Sequence, residues 1–283
     1  MTKPNAYDLV TQKVLAAIDS GVAPWRQTWA DGAPTSMSTN KPYRGINLFL
    51  LGGGYWGTYK KVTEAGGQVR KGEKSSKAVF WRKVEKTNGE GDDTSFMMLR
   101  FYSVFHSSQA DWADGLPERF SSELPGTENE RIADAEQIVT EYKKGDNAPI
   151  FAPDGGGRAC YSPLSDTIQV PELGAFTGSP EYYSTMFHEM GHSTGHQSRL
   201  NREGVTDPIQ FGSHKYASEE LVAEMTATML MGVVGLEDDT IENSAAYLAH
   251  WRKVIASDEK LIVRAAAKAQ RAADHIRGIT FDD

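Results

Sequence analysis

The chain has 283 residues, 39 % of them hydrophobic and 10 % aromatic, enough to bury one large core or two ordinary ones. Its most apolar runs, "INLFLLGGGYWG" and "MLMGVVGL", are short and glycine-rich, well under the roughly 18 unbroken apolar residues of a membrane span. A formal charge of −8 argues against a nucleic-acid partner for the chain taken as a whole.

The N-terminal "AYDLVTQKVLAAIDSG" reads as an amphipathic helix with Val10, Val14, Leu15 and Ile18 on one side, and it lacks the features of a signal peptide. Cys160 is the single cysteine, which excludes an internal disulfide and suits a reducing cytosol. A cytoplasmic location and no membrane partner are therefore expected. An extended stretch through Pro24 and Trp29 follows the helix. From Lys41 to Lys86 the charge reverses, with eleven basic residues against three acids. Tyr43, Phe49, Tyr55, Trp56, Tyr59, Phe80 and Trp81 are interleaved with them. Cations that neutralise phosphate beside rings that stack on bases are how single-strand binders work without sequence preference. Phe49, Phe80 and one of Tyr55 and Trp56 are assigned to ordinary core. "AVFWRKVEK" and "SFMMLRFYSVF", separated by "TNGEGDD", predict a β-hairpin with a long tip. This half, residues 1–110, reads as α+β.

Residues 111–130 are polar, acidic and aperiodic and read as a connection. Residues 131–283 form a second, mainly helical unit with a small sheet. It opens on a helix through Ile132, Ala135, Ile138 and Val139 that stops at Gly145, and contains a strand at "DTIQVP". Ser179-Pro180-Glu181 supplies a capping serine, an early proline and an acid, so the next helix runs from there to near Gly195. Further helices are expected from Ser218 to Gly232 and through the alanine-rich C-terminal region, with a break near Ser257-Asp258.

"HEMGH" places His188 and His192 four apart, so on a helix both imidazoles project from one face. Two neutral imidazoles and one further ligand leave zinc a position open to water, and Glu189 stands beside it as a general base. The pattern arises by chance in about one chain in a hundred of this length; its place on a predicted helix after a strand favours the metal. The metzincin third ligand would fall on Ser198, which is no histidine; His196 comes two residues early and belongs to the turn leaving the helix. "SEELVAEM" offers Glu219, Glu220 and Glu224 instead. Glu220 and Glu224 share a face, while Glu219 is turned about 100° away. Two acids on one face allow one to bind metal and the other to accept the second N–H of a ligating histidine. The gluzincin pattern, a ligand Glu followed four residues later by an acid, resembles this arrangement. By that resemblance Glu220 is the ligand, Glu224 the histidine's partner, and Glu219 ranks last. Asp166–Val170 is placed to be the edge strand that receives substrate. Tyr161, His214 and Tyr216 remain open as oxyanion donors.

"GVAPWRQTW", "KPYRGINLFLL", "TYKKVTEAGGQVRKGEKSSKAVFW" and "FYSVFHSSQ" resemble the single-stranded-DNA-binding domain of ArdC-type antirestriction proteins. "YSPLSDTIQVP", "YYSTMFHEMGHSTGHQSRLNR", "YASEELVAEM" and "AAYLAHWRKVI" resemble the zincin-like metallopeptidase domain that follows it there. His106 departs from the asparagine expected in the family's "VFN" ending. The resemblance implies a protein that binds single-stranded DNA and protects incoming plasmid or phage DNA from host restriction. A restriction enzyme or other DNA-bound protein is the implied substrate, and Zn2+ the implied metal, with Mn2+ or Co2+ accepted by the same ligands. Carried over by position, the metal set is His188, His192 and Glu220, with Glu189 as base. The DNA set is Trp25, Tyr43, Arg44, Asn47, Trp56, Tyr59, Lys60, Gln68, Arg70, Lys71, Lys74 and Trp81. Two rival readings are a DNA shield with a silent metal site and a single-strand-dependent protease of SprT-like layout.

Overall fold

Asn5 starts the first helix: its side chain accepts the Asp8 N–H at 2.9 Å while Asp8 accepts the Asn5 N–H at 3.0 Å, so two donors of the helix start are satisfied. The computed structural model describes residues 5–26, 32–87, 93–120, 127–152, 157–206, 213–236 and 245–280. Helix α1 (Ala6–Asp19) buries Val10, Val14 and Ile18 as its spacing predicts. After a short turn at Pro24–Arg26 come β1 (Thr35–Ser36), α2 (Asn47–Leu50), β2 (Tyr55–Gly57), α3 (Tyr59–Glu64) and β3 (Gly67–Val69). The hairpin then forms from β4 (Ser76–Thr87) and β5 (Asp93–His106), each longer than expected, and β6 (Ala110–Trp112) follows. Its tip, 88–92, lies outside the described residues.

One sheet runs β1-β2-β5-β4, with β1 parallel to β2 and the other pairs antiparallel; β3 and β6 form a separate antiparallel ladder. The stretch after residue 110 is more than a connection. Trp112 pairs with Gly67 across β3–β6, and Phe120, 1 % exposed, packs with Met37, Val62, Val69 and Ala110.

The second half comprises α4 (Glu128–Lys143), β7 (Ile150–Ala152), β8 (Cys160–Ser162), β9 (Thr167–Gln169), α5 (Ser179–Ser193), α6 (Glu203–Thr206), α7 (His214–Val234), α8 (Ala245–Ser257) and α9 (Leu261–Ile276). The break after Ser257 falls where the sequence predicts it. The sheet order β7-β9-β8 corrects the expected edge strand. Thr167–Gln169, inside the predicted 166–170, is central, and Cys160–Ser162 forms the edge beside α5. Ser179 is also not the cap of α5: Gly178 holds that position, and Glu181 reaches back to the Thr177 N–H and hydroxyl, both at 2.8 Å.

α7 buries side chains all round, with Leu221, Val222, Ala223, Met225 and Leu230 wholly buried, as suits a helix enclosed by α5, α9, α4 and the Pro24–Arg26 turn. α1 packs on α8 and α9, and Arg44 pairs with Asp274 of α9, so both halves share one hydrophobic core. The axis of the second half is the crossing of α5 and α7 at Gly191. A Cβ there would stand 3.2 Å from the Ala223 Cα and 3.2 Å from the Thr226 Cβ. Gly191→Val should therefore force the helices apart and cost about 1–3 kcal/mol by overpacking, read as a lower midpoint in urea denaturation; an unchanged midpoint would mean the helices do not cross this closely.

Candidate metal centre and nucleic-acid surface

His188 and His192 lie one turn apart on α5, and their Nε2 atoms converge to 3.1 Å. Glu220 of α7 faces both, its Oε2 at 3.7 Å from His188 Nε2 and its Oε1 at 3.6 Å from His192 Nε2. Ligand atoms of these three residues all lie within 4.8 Å of one another, the one such group among the described residues. Tetrahedral zinc with bonds of roughly 2.0–2.1 Å separates its ligands by roughly 3.3 Å, so this donor set fits a zinc ion. Burial, the neighbouring His192 and the Arg26 charge hold His188 well below the ordinary histidine range, which keeps its imidazole neutral and able to donate a lone pair. Glu189 is buried beside them, and burial pushes its carboxyl up. Tyr161 of β8 lines the cleft on the other side of it.

Which carboxylate meets which ring corrects the sequence reading. Glu224 does not receive a histidine N–H: it accepts from Trp25 Nε1 at 2.8 Å and from the Tyr247 hydroxyl. Glu219, ranked last, is the acid whose Oε1 faces His192 Nδ1 at 3.5 Å. Burial works against it, but His192 and Arg202 together hold the Glu219 carboxyl below the usual range. Arg202 carries no signal in the sequence. It is 7 % exposed and clamps Glu219 with Nη2 at 2.5 Å and Nε at 3.0 Å. The same guanidinium donates to the Gly191 carbonyl at 2.8 Å and the Thr194 hydroxyl at 2.6 Å. It thus caps the α5 carbonyls and aims His192 at once. Arg199 caps the same end through the Ser193 carbonyl at 2.8 Å.

An open cleft of about 520 Å³ lies over the three groups, walled by β8, Pro163 and Arg158 on one side and by Tyr216 and Val205 on the other. Two of the open oxyanion candidates are otherwise placed. The Tyr161 hydroxyl donates to Asp166 at 2.7 Å inside a cluster with Arg199, and His214 is exposed at the start of α7. Tyr216 lines the cleft; burial and the nearby Glu220 carboxylate push its phenol up to about 12, so it stays protonated. His196 bonds Ser198 on the turn leaving α5, as expected.

The residues assigned to DNA divide by burial. Trp25 is wholly buried, Asn47 brackets the Val79 backbone with bonds of 2.8 and 2.7 Å, and Trp56 is buried with its N–H on the Gly52 carbonyl. None of these three can meet a base, which corrects their assignment. Arg44 pairs with Asp274, and Tyr43 is half-buried against Tyr102. Tyr59, Lys60, Gln68, Lys71 and Lys74 are exposed on and around α3 and β3, while Arg70 is engaged by Glu73 and Asp111. Trp81 is 45 % exposed, edge-on to Tyr7.

The hairpin offers more than the sequence suggests. Phe80, assigned to core, is 41 % exposed, and register puts it on one face with Arg82, Arg100, Tyr102 and the 46 %-exposed Phe96. No acid stands among the paired positions of that face. Alternation along both strands carries this signal, because Ala78, Phe80, Arg82 and Val84 must share a side.

Removing the Glu219 carboxylate should loosen the metal and, by leaving the Arg202 charge buried without its partner, cost stability too. Glu219→Gln is expected to weaken zinc binding about 10–100-fold, measured by competition with a chelator. Arg202→Ala strands a buried carboxylate and should cost about 3–5 kcal/mol of stability as well. Wild-type zinc affinity in Glu219→Gln would show that His192 needs no such partner.

Residues 140–268 match the zincin-like metallopeptidase family, and residues 4–105 match the N-terminal domain of the anti-restriction factor ArdC. Membership of a zincin-like family implies zinc as the resident metal. An uncharacterised Sinorhizobium fredii protein, y4eC, is 32 % identical over 295 residues, which cover 96 % of this chain and 92 % of that one. The DNA primase TraC of Escherichia coli is 33 % identical over 301 residues, 97 % of this chain but only 20 % of TraC. Two crystal structures of the antirestriction ArdC protein from plasmid R388 superpose on the fold. The metal-free one has a TM-score of 0.77 at 32 % identity, covering 98 % of this chain and 99 % of that one. The Mn(II)-bound one has a TM-score of 0.75 at 31 % identity, covering 97 % and 98 %. With its two halves matched in order and a full-length relative in each comparison, the chain belongs to the ArdC family of antirestriction proteins.

Proposed function

We propose that the protein binds single-stranded DNA through the outward face of the β4–β5 hairpin, shields incoming plasmid or phage DNA from host restriction in the cytoplasm, and hydrolyses peptide bonds at its metal centre. The observation that carries the first part is the exposure of Phe80 and Phe96 between Arg82 and Arg100. Rings left this open forgo burial worth on the order of 1 kcal/mol each, and a face of rings and guanidiniums matches unpaired bases on a phosphate backbone. In a duplex the base faces are stacked on one another and unavailable to it. The basic turn around Lys71 and Lys74 extends the charge.

For the metal centre, the convergence of His188, His192 and Glu220 supports their reading as ligands. The R388 protein solved with Mn(II) supports manganese beside zinc, and cobalt fits the same donors. When bound, the metal supplies Lewis acidity toward a carbonyl and acidifies water. Glu189, buried beside the two histidines at the cleft, takes the proton of the attacking water and delivers it to the leaving amine. Its raised proton affinity suits that exchange. Tyr216 donates to the developing oxyanion across the cleft. The edge strand β8 receives the substrate as an added strand. Proteins on the bound strand, a restriction enzyme among them, are the substrates this layout favours, because the two halves share one core.

Single-strand binding to oligothymidylate should fall linearly with log salt. Phe80→Ala is expected to cost about 1–3 kcal/mol, and Arg82→Ala/Arg100→Ala to flatten the salt slope by about 0.7 for each phosphate no longer neutralised. Absence of binding at low salt would sink the nucleic-acid reading. Glu189→Gln should keep DNA and metal affinity yet abolish cleavage of a casein probe. Antirestriction that survives in this variant would assign protection to DNA shielding alone, and cleavage that requires added oligothymidylate would make the protease strand-dependent.

A further inference from the structure

Glu224 follows Glu220 by one helical turn, on the same face of α7. Its side chain is 16 % exposed and is met by the N-terminal half. Trp25 Nε1 donates to it at 2.8 Å, the Tyr247 hydroxyl donates to the same oxygen, and Arg26 Nε lies 3.8 Å away. The Arg26 guanidinium covers the Tyr247 ring at 3.7 Å, and Trp25 stands edge-on to Trp251 at 5.6 Å. One turn further, the Thr228 hydroxyl donates to the Trp25 carbonyl at 2.5 Å. A polar cluster in so covered a place costs desolvation that apolar side chains of like volume would avoid.

The all-round burial of α7 gives the cluster a task. Leu221, Val222, Ala223 and Met225 are buried on successive sides of the helix, and non-directional packing sets its rotation about its own axis only weakly. Rotation is what the metal centre cannot tolerate: about 10° moves a carboxylate roughly 6 Å from the axis by roughly 1 Å. Hydrogen bonds are directional and can fix that phase. Arg202 holds Glu219 on one side, and Trp25 holds Glu224 on another.

We propose that Trp25 and Glu224 are positioning residues for the metal centre: the N-terminal half locks the rotation of α7 and thereby aims Glu220. The proposal rests on the reading of His188, His192 and Glu220 as ligands. It makes residues 24–26 part of the metallopeptidase site rather than of the DNA surface.

The test is Mn2+ affinity by titration calorimetry on the full chain, well below the unfolding temperature. Trp25→Phe keeps the ring and loses the N–H; Glu224→Gln keeps the shape and loses the charge. Each should weaken Mn2+ about tenfold, within the range for groups that orient ligands. The double variant should be no weaker than the worse single one, because the pair acts as a unit. Val14→Ala, a buried truncation on α1, should lower the melting temperature and leave Mn2+ affinity unchanged. Unchanged affinity in Trp25→Phe, fully additive losses, or an equal loss in Val14→Ala would each overturn the proposal. His188→Ala should abolish binding; if it does not, the ligand set itself is wrong, a failure distinct from that of the Trp25–Glu224 link.

Discussion

The metal centre depends on two helices touching backbone to backbone at Gly191. With no side chain between them, α5 and α7 approach until the Ala223 Cα lies 3.2 Å from where a Cβ would be. At that separation the acids at 219 and 220 span the gap to the imidazoles of His188, one turn before the contact, and His192, directly after it. A wider crossing would leave Glu220 short of both Nε2 atoms. Two arginines from the segment after α5 then tie off its free carbonyls, so the helix carrying the histidines ends in a fixed place. Packing brings the groups together, and directional bonds to Glu219 and Glu224 set their angles.

What could be read from the sequence follows the range of the interactions involved. His188, Glu189 and His192 are legible because a spacing of four on one helix fixes its own geometry. The hairpin and the break after Ser257 are legible for the same local reason. Division of labour among Glu219, Glu220 and Glu224 is not, since it depends on how α7 is rotated against α5, and no spacing within "SEELVAEM" encodes that. Arg202 stays hidden because arginines after a helix usually reach water. Trp25, Asn47 and Trp56 look like base-stacking or polar contacts in a basic stretch, yet each is claimed by a partner remote in sequence or by the fold's own backbone. Phe80 goes the other way: an aromatic in a strand is normally core, but it lies past Ala78 and Val104, the part of that face the fold covers.

Charge is partitioned rather than balanced. The chain is acidic overall, but acids in the basic window are spent locally, Glu64 on Lys60 and Lys61, Glu73 on Arg70. The hairpin face keeps its guanidiniums facing solvent. Around the metal cleft the reverse holds: Glu189, Glu219 and Glu220 stand close together, and among the described residues Arg158 is the one arginine or lysine on its wall. The two faces thus differ in the sign of the charge they present to solvent.

The bonds that close the shared core have a bearing on how the protein is made. Thr11 of α1 donates to the Glu259 carbonyl, Asp19 pairs with Arg252, and Arg44 with Asp274, over separations of 248, 233 and 230 residues. Synthesis at roughly 5–20 residues per second leaves α1 waiting on the order of 10–50 s for those partners. Throughout that interval its apolar stripe of Val10, Val14 and Ile18 has neither α8 nor α9 to cover it. Native assembly is therefore completed only toward the end of translation, and until then α1 is covered only from the side of α2 and β5.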